Sequence, residues 1–132
     1  MNFEVQLLKK SILIVDDDEA ISESIKEVLA SRGFQNIHVA YSIGEGINVF
    51  SVSHIDLIIL DVMLPDGEGY LLSEYVRESS DVPILFLTAK NNPDDEIRGL
   101  DSGGDDYVTK PFLPKSLTYR IIALLRRAYK DE

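Results

Sequence analysis

The sequence contains no cysteine, no tryptophan and only two histidines, and its 13 Lys and Arg face 23 Asp and Glu. Without cysteine there is no disulfide framework, no thiolate zinc site and no Cys nucleophile. Two histidines cannot build an all-His metal centre, so any metal must sit on oxygen. Long apolar runs are also missing. The stretch Ile55–Leu64 is interrupted by Asp56 and Asp61, far short of the roughly 20 residues of a membrane span. The first ten residues lack the apolar segment and small-residue cleavage site of a signal peptide. A soluble, cytoplasmic chain is expected. The shortage of cations, a net charge of −10 with pI about 4.6, argues against this domain gripping nucleic acid, which requires a surplus of Lys and Arg on one face. Bound divalent cations and cationic partners fit better.

What is present suits one self-sufficient domain: 132 residues, 45% hydrophobic, with ordinary numbers of Gly and Pro. Short apolar runs of strand length occur at Ile12–Val15, Ile37–Ala40, Leu57–Leu60, Ile84–Leu87 and Tyr107–Val108. Helical periodicity lies between them. Ile21, Ile25, Val28 and Leu29 share a face that stops at Gly33; Ser42 and Glu45 form a capping-box pair before Ile43, Ile47 and Phe50. Further helices are predicted over about Tyr70–Ser79 and Asp94–Asp101, and a last one carries Leu117, Ile121, Leu124 and Leu125, ending in Arg126, Arg127 and Lys130. This alternation predicts an α/β fold, (βα)5, a doubly wound five-stranded parallel sheet. Continuous apolar strands agree with burial on both faces.

Ligands of such sheets bind outside the carboxyl ends of the strands. There the chain places Asp16, Asp17 and Asp18 after the first strand, Asp61 after the third, Thr88 after the fourth and Lys110, before Pro111, after the fifth. With strand order 2-1-3-4-5 the acids share one pocket. Converging carboxylates repel one another unless a cation sits among them, and a few oxygen ligands beside water suit Mg²⁺. One carboxylate can then act as nucleophile toward phosphorus, with Lys110 neutralising phosphoryl oxygens and Thr88 donating a hydrogen bond. Singly, each residue has an ordinary explanation: Asp16–Asp18 as helix caps, Asp61 as a turn residue before Leu64-Pro65-Asp66-Gly67-Glu68-Gly69, Thr88 as a strand-end residue, Lys110 as a solvated charge. The combination carries the signal. Asp105 and Asp106 precede the fifth strand at its opposite end and read as surface charges or cross-subunit partners. His38 and His54 read as structural.

Ile12-Leu13-Ile14-Val15-Asp16-Asp17, Asp61-Val62-Met63-Leu64-Pro65, Thr88-Ala89 and Tyr107-Val108-Thr109-Lys110-Pro111-Phe112 together resemble the response-regulator receiver domain of two-component signalling, the CheY-like, flavodoxin-like fold. The resemblance implies that Asp61 accepts a phosphoryl group from a phosphohistidine of a partner sensor histidine kinase. It implies Mg²⁺ bound by Asp17, Asp61 and the Met63 carbonyl, with Asp16 acting through water. Thr88 and Tyr107 would form the switch, repacking the surface of the fourth helix, fifth strand and fifth helix, and the Lys110-Pro111 bond would be cis. Asp-Val-Met-Leu-Pro, Gly-Leu-Asp-Ser-Gly-Gly-Asp-Asp-Tyr and Leu-Leu-Arg-Arg resemble the OmpR-type receivers that precede a winged-helix DNA-binding domain, for which Arg98, Asp105, Asp106 and Arg120 would make intersubunit ion pairs in a phosphorylation-dependent homodimer. Ser116 departs from that subfamily, which usually has an acid there. Such a chain is a phosphoacceptor rather than an enzyme, assisting its own phosphotransfer and slow self-dephosphorylation, and controls transcription through a domain outside this sequence.

Three rivals differ in what they need. A flavin carrier on the same fold needs a phosphate cradle where Asp16, Asp17 and Asp18 would repel the phosphate. An aspartyl phosphohydrolase commonly has a second Asp two residues after its nucleophile, where this chain has Met63. A pseudo-receiver would be an interaction module that is not phosphorylated. Residues 1–10 are set apart as an N-terminal extension and residues 11–132 as the receiver domain.

Overall fold

The computed structural model describes residues 3–130. It opens with a short helix, α1 (Phe3–Leu7), followed by β1 (Ser11–Val15), α2 (Glu19–Arg32), β2 (Asn36–Ala40), α3 (Ile43–Val52) and β3 (Leu57–Leu60). Two short strands come next, β4 (Met63–Leu64) and β5 (Gly67–Glu68), and then α4 (Tyr70–Arg77), β6 (Ile84–Thr88), α5 (Pro93–Asp101), β7 (Asp106–Thr109) and α6 (Pro114–Tyr129). The main sheet has order β2-β1-β3-β6-β7 and every pairing in it is parallel. Counted by its own strands this is the expected 2-1-3-4-5 flavodoxin-like order.

Side chains alternate across the sheet, so each strand feeds two half-cores. Ile12, Ile14, Leu57, Ile59, Leu85 and Leu87 pack with Ile25 and Leu29 of α2 and Leu117, Ile121 and Leu125 of α6. Leu13, Val15, Ile58, Leu60, Ile84 and Phe86 pack on the other side with Ile43 of α3 and Leu72 and Val76 of α4. Burial on both faces explains why strands β1, β3 and β6 read as unbroken apolar runs.

Caps fix where the helices begin. The Asp18 carboxylate accepts the N–H groups of Ala20 and Ile21, and α2 ends at Gly33, whose φ of 113° is the left-handed conformation that glycine adopts without strain. Ser42 accepts the Glu45 N–H at 3.1 Å, while Glu45 reaches back to the Tyr41 N–H at 3.2 Å. Asn92 caps α5 and Pro93 occupies its first turn.

Two features escaped the periodicity. The loop after Asp61 contains the antiparallel β4–β5 hairpin, pairing Met63 with Glu68 and Leu64 with Gly67. Two residues per strand are too few for an alternation to show. Helix α1 buries Leu7 to 1% exposure, and Phe3 together with Leu8 of the following turn packs against the α2–α6 half-core. Glu4 pairs with Arg126 of α6 at 3.3 Å, and Lys10 lies 4.4 Å from the Tyr129 ring centre. Of the segment set apart as an extension, Phe3, Leu7 and Leu8 thus pack on the same core, and residues 1 and 2 lie outside the described residues.

Candidate functional site

At the carboxyl edge of the sheet, β1 and β3 lie side by side and end in Asp16 and Asp61. Carboxylate oxygens of Asp16, Asp17 and Asp61 come within 4.8 Å of one another. Asp16 and Asp61 are buried, at 3% and 6% exposure, whereas Asp17 faces solvent. Lys110, brought in by the turn after β7, sets its Nζ 2.7 Å from Asp16 Oδ2 and 2.8 Å from Asp61 Oδ2. The Lys110–Pro111 peptide is cis.

Backbone donors aim both acids. The Asp18 N–H donates to Asp16 Oδ1 at 2.9 Å, and the Met63 N–H donates to Asp61 Oδ1 at 3.0 Å. Asp61 therefore has one oxygen on a neutral donor and the other on an ammonium. Burial pushes the Asp16 carboxyl above its ordinary range; bonds from Lys110 and the Asp18 N–H oppose this, and the charge of Asp61 adds to it. For Lys110, burial works against the charged form, but its bonds to Asp16 and Asp61 outweigh that and hold the ammonium above its ordinary value. One cation among three acids leaves the pocket negative.

Thr88 ends β6 fully buried, its Oγ1 accepting the Lys90 N–H at 3.3 Å. Beyond it, Tyr107 is half-buried and donates its hydroxyl to the Lys90 carbonyl at 2.8 Å. Its ring lies 6.0 Å from that of Phe86, which lies 5.6 Å from that of Tyr70. Gly99 makes this packing possible: a Cβ there would stand 2.8 Å from the Tyr107 ring. Burial pushes the Tyr107 phenol well above its ordinary range, and the neighbouring Tyr70 adds to the shift.

The four residues expected at a subunit face all have ionic partners within the chain. Arg98 pairs with Glu68 at 3.0 Å and lies 4.5 Å above the Tyr70 ring centre. Arg120 pairs with Asp106 at 3.1 Å. Asp105 is a structural anchor: Oδ2 accepts the Ile84 N–H at 2.8 Å and an Arg77 N–H at 3.0 Å, joining the starts of β6 and β7 to α4. His38 is part of β2, and the exposed His54 bonds the buried Asp56 at 2.8 Å.

Sequence reasoning passed over Arg77 and Asp66. Arg77 donates to Gly103 O at 2.7 Å and Val82 O at 2.7 Å, tying together two loops on the far side of the sheet. Asp66, in the turn of the β4–β5 hairpin, accepts the Ile43 N–H at 2.9 Å and the Gly44 N–H at 3.0 Å. An Asp between Pro and Gly signals a turn, but nothing local shows that its carboxylate reaches a helix three elements earlier.

Comparison with known proteins yields consistent matches. Residues 12–122 match the family described as the response regulator receiver domain. The chain is 47% identical over 122 residues to the transcriptional regulatory protein YvrH of Bacillus subtilis, covering 92% of this chain and 52% of that protein. It is 40% identical over 123 residues to the phosphate regulon transcriptional regulatory protein PhoB of Escherichia coli, covering 91% and 53%. The chain spans about half the length of these curated relatives. Among solved structures, a two-component response regulator from Clostridium difficile superposes with a TM-score of 0.88 at 34% identity, over 92% of this chain and 99% of that one.

Proposed function

Because the chain belongs to the response regulator receiver domain family, we propose that Asp61 is its phosphoacceptor and that a sensor histidine kinase supplies the phosphoryl group. The Asp61 carboxylate attacks the phosphorus of a kinase phosphohistidine. An Asp61 O–P bond forms as the P–N bond breaks, and the electron pair stays on the imidazole nitrogen. The observation that supports this best is the fixing of Asp61, one oxygen on the Met63 N–H and the other on Lys110, beside two further acids.

Those acids suit a hard divalent ion. Asp16, Asp17 and Asp61 converge as an all-oxygen donor set of the kind Mg²⁺ takes, and their surplus of negative charge favours a cation; Asp17, Asp61 and the Met63 carbonyl would hold the ion directly and Asp16 through water. When bound, Mg²⁺ supplies neutralisation of the charge on the phosphoryl oxygens. Lys110 contributes the same from the protein side, already placed against Asp61. Thr88 turns its hydroxyl toward the phosphoryl group and Tyr107 turns inward behind it. The surface of α5, β7 and α6 changes as a result and carries the output, with homodimerisation through that face and control of transcription as the proposed readout. Position 63 is Met, so no acid stands two residues after Asp61 to speed hydrolysis, and the phosphate is lost by slow self-hydrolysis. The domain is a switch rather than a turnover enzyme.

The test is intact mass after incubation with Mg²⁺ and a small acyl-phosphate donor, beside the Asp61→Asn variant and a chelated control. One added phosphoryl group that requires both Mg²⁺ and Asp61 is expected. No addition in any sample would leave the chain as a pseudo-receiver that works by binding partners alone.

A further inference from the structure

We propose that Asp66 is a positioning residue for the acidic pocket: by docking the β4–β5 hairpin onto the start of α3, it sets the Met63 backbone against Asp61. The inference rests on the phosphoacceptor reading of Asp61.

A hairpin with two residues per strand has little stability of its own. At its base it is closed by the Gly69 N–H, which donates to Val62 O at 2.7 Å. At its tip the hold comes from Asp66, whose two carboxylate oxygens accept the first two N–H groups of α3. These groups have no partner inside the helix, and an anion is favoured at this end of it. They also hold the Asp66 carboxyl below its ordinary range, so the docked form is the charged one. What the hairpin carries is Met63, whose N–H fixes Asp61 Oδ1.

The docking point is not arbitrary. Helix α3 starts just after Ala40, and the Ala40 carbonyl accepts the Asp16 N–H at 3.1 Å. Asp66 thus ties the loop that aims Asp61 to the segment that holds Asp16, so that both walls of the pocket share one anchor. Asp66 itself stays exposed and lies outside the cluster of converging acids. Its role is exerted through Met63.

Asp66→Ala removes both acceptors, and Asp66→Asn keeps one carbonyl oxygen. Ser42→Ala is the control, because the Ser42 hydroxyl caps the same helix through the Glu45 N–H, while the hairpin is held through the Ile43 and Gly44 N–H groups. With Mg²⁺ as the probe, calorimetry is expected to show Asp66→Ala weakening binding on the order of tenfold. Asp66→Asn should lose less and Ser42→Ala nothing. Hydrogen exchange at the Met63 amide should accelerate in Asp66→Ala at a temperature where all three variants are folded, and phosphorylation by acyl phosphate should slow in the same order. Equal losses in Ser42→Ala and Asp66→Ala would reduce Asp66 to a helix cap and overturn the proposal. So would wild-type Mg²⁺ affinity and Met63 exchange in Asp66→Ala. If wild-type protein takes up no phosphate at all, the phosphoacceptor reading fails, whereas the Met63 exchange result still decides what Asp66 does.

Discussion

Gly69 lies so close to the backbone of Asp61 that a methyl group on residue 69 would overlap the Asp61 carbonyl oxygen. Its φ of −58° is open to any residue, so the glycine is required by space and not by backbone conformation. Gly69→Ala should cost about 1–3 kcal/mol through overpacking, seen as a lower urea midpoint. The same push displaces the strand end that carries the phosphoacceptor, so phosphorylation should slow beyond what the lost stability explains. A variant with wild-type midpoint and rate would show that this backbone yields freely.

Lys110 compensates two buried acids at once. Lys110→Met leaves Asp16 and Asp61 facing each other, and without divalent ions it should destabilise the fold by about 3 kcal/mol, as loss of one partner from a buried ion pair does. Mg²⁺ should then raise the melting temperature of the variant more than that of wild type, because a cation bound only by the folded state takes over the missing charge. Equal shifts in the two proteins would count against a shared pocket.

Asp16 and Asp66 titrate with opposite consequences. Burial raises the Asp16 carboxyl above its ordinary value of 3.8, so its contribution is complete below that value and is lost as pH rises through the folded-state value. Bonds from the Gly44 and Ile43 N–H groups lower Asp66, whose contribution is present above 3.8 and lost as pH falls through its lowered value. In Mg²⁺-free buffer Asp16→Asn should therefore melt higher than wild type at neutral pH, with the gap closing toward about pH 4. Asp66→Asn should melt lower, with its gap closing only at stronger acid. Circular dichroism melts across this range read both differences.

Arg77 spends its guanidinium on backbone carbonyls of two loops and on Asp105. Arg77→Ala should cost about 2 kcal/mol, the scale of hydrogen bonds made by a charged group. It should leave the Mg²⁺ dependence of phosphorylation intact, since these contacts lie at the opposite end of the strands from Asp61. Denaturant unfolding beside an acyl-phosphate rate assay separates the two effects.

The strands and longer helices were readable because burial imposes periods that survive in the residue pattern: Ile12–Val15 and Leu57–Leu60 are apolar throughout, and α6 sets Leu117, Ile121, Leu124 and Leu125 at helical spacing. Asp16, Asp17, Asp61, Thr88 and Lys110 stood out because strand ends in a parallel sheet converge, so position along the chain already implied position in space. The β4–β5 hairpin and α1 are shorter than the period that would reveal them. Arg77, Asp66 and Asp105 act across gaps of 26, 22 and 21 positions, and their neighbours in sequence say nothing about such partners. The Arg98 pairing with Glu68 and its place over the Tyr70 ring likewise join residues about 30 positions apart, beyond the reach of any local pattern.

The pairing of α1 with α6 sets a schedule for the nascent chain. Glu4 and Arg126 are 122 positions apart, so the first helix leaves the ribosome on the order of ten seconds before the last one exists at ordinary rates of synthesis. Through that interval Leu7, which ends at 1% exposure, has no finished core to enter. Closing the N-terminal segment onto α6 thus waits until the last helix has been made, and until then Leu7 and the face it shares with Phe3 lack that half of their packing surface.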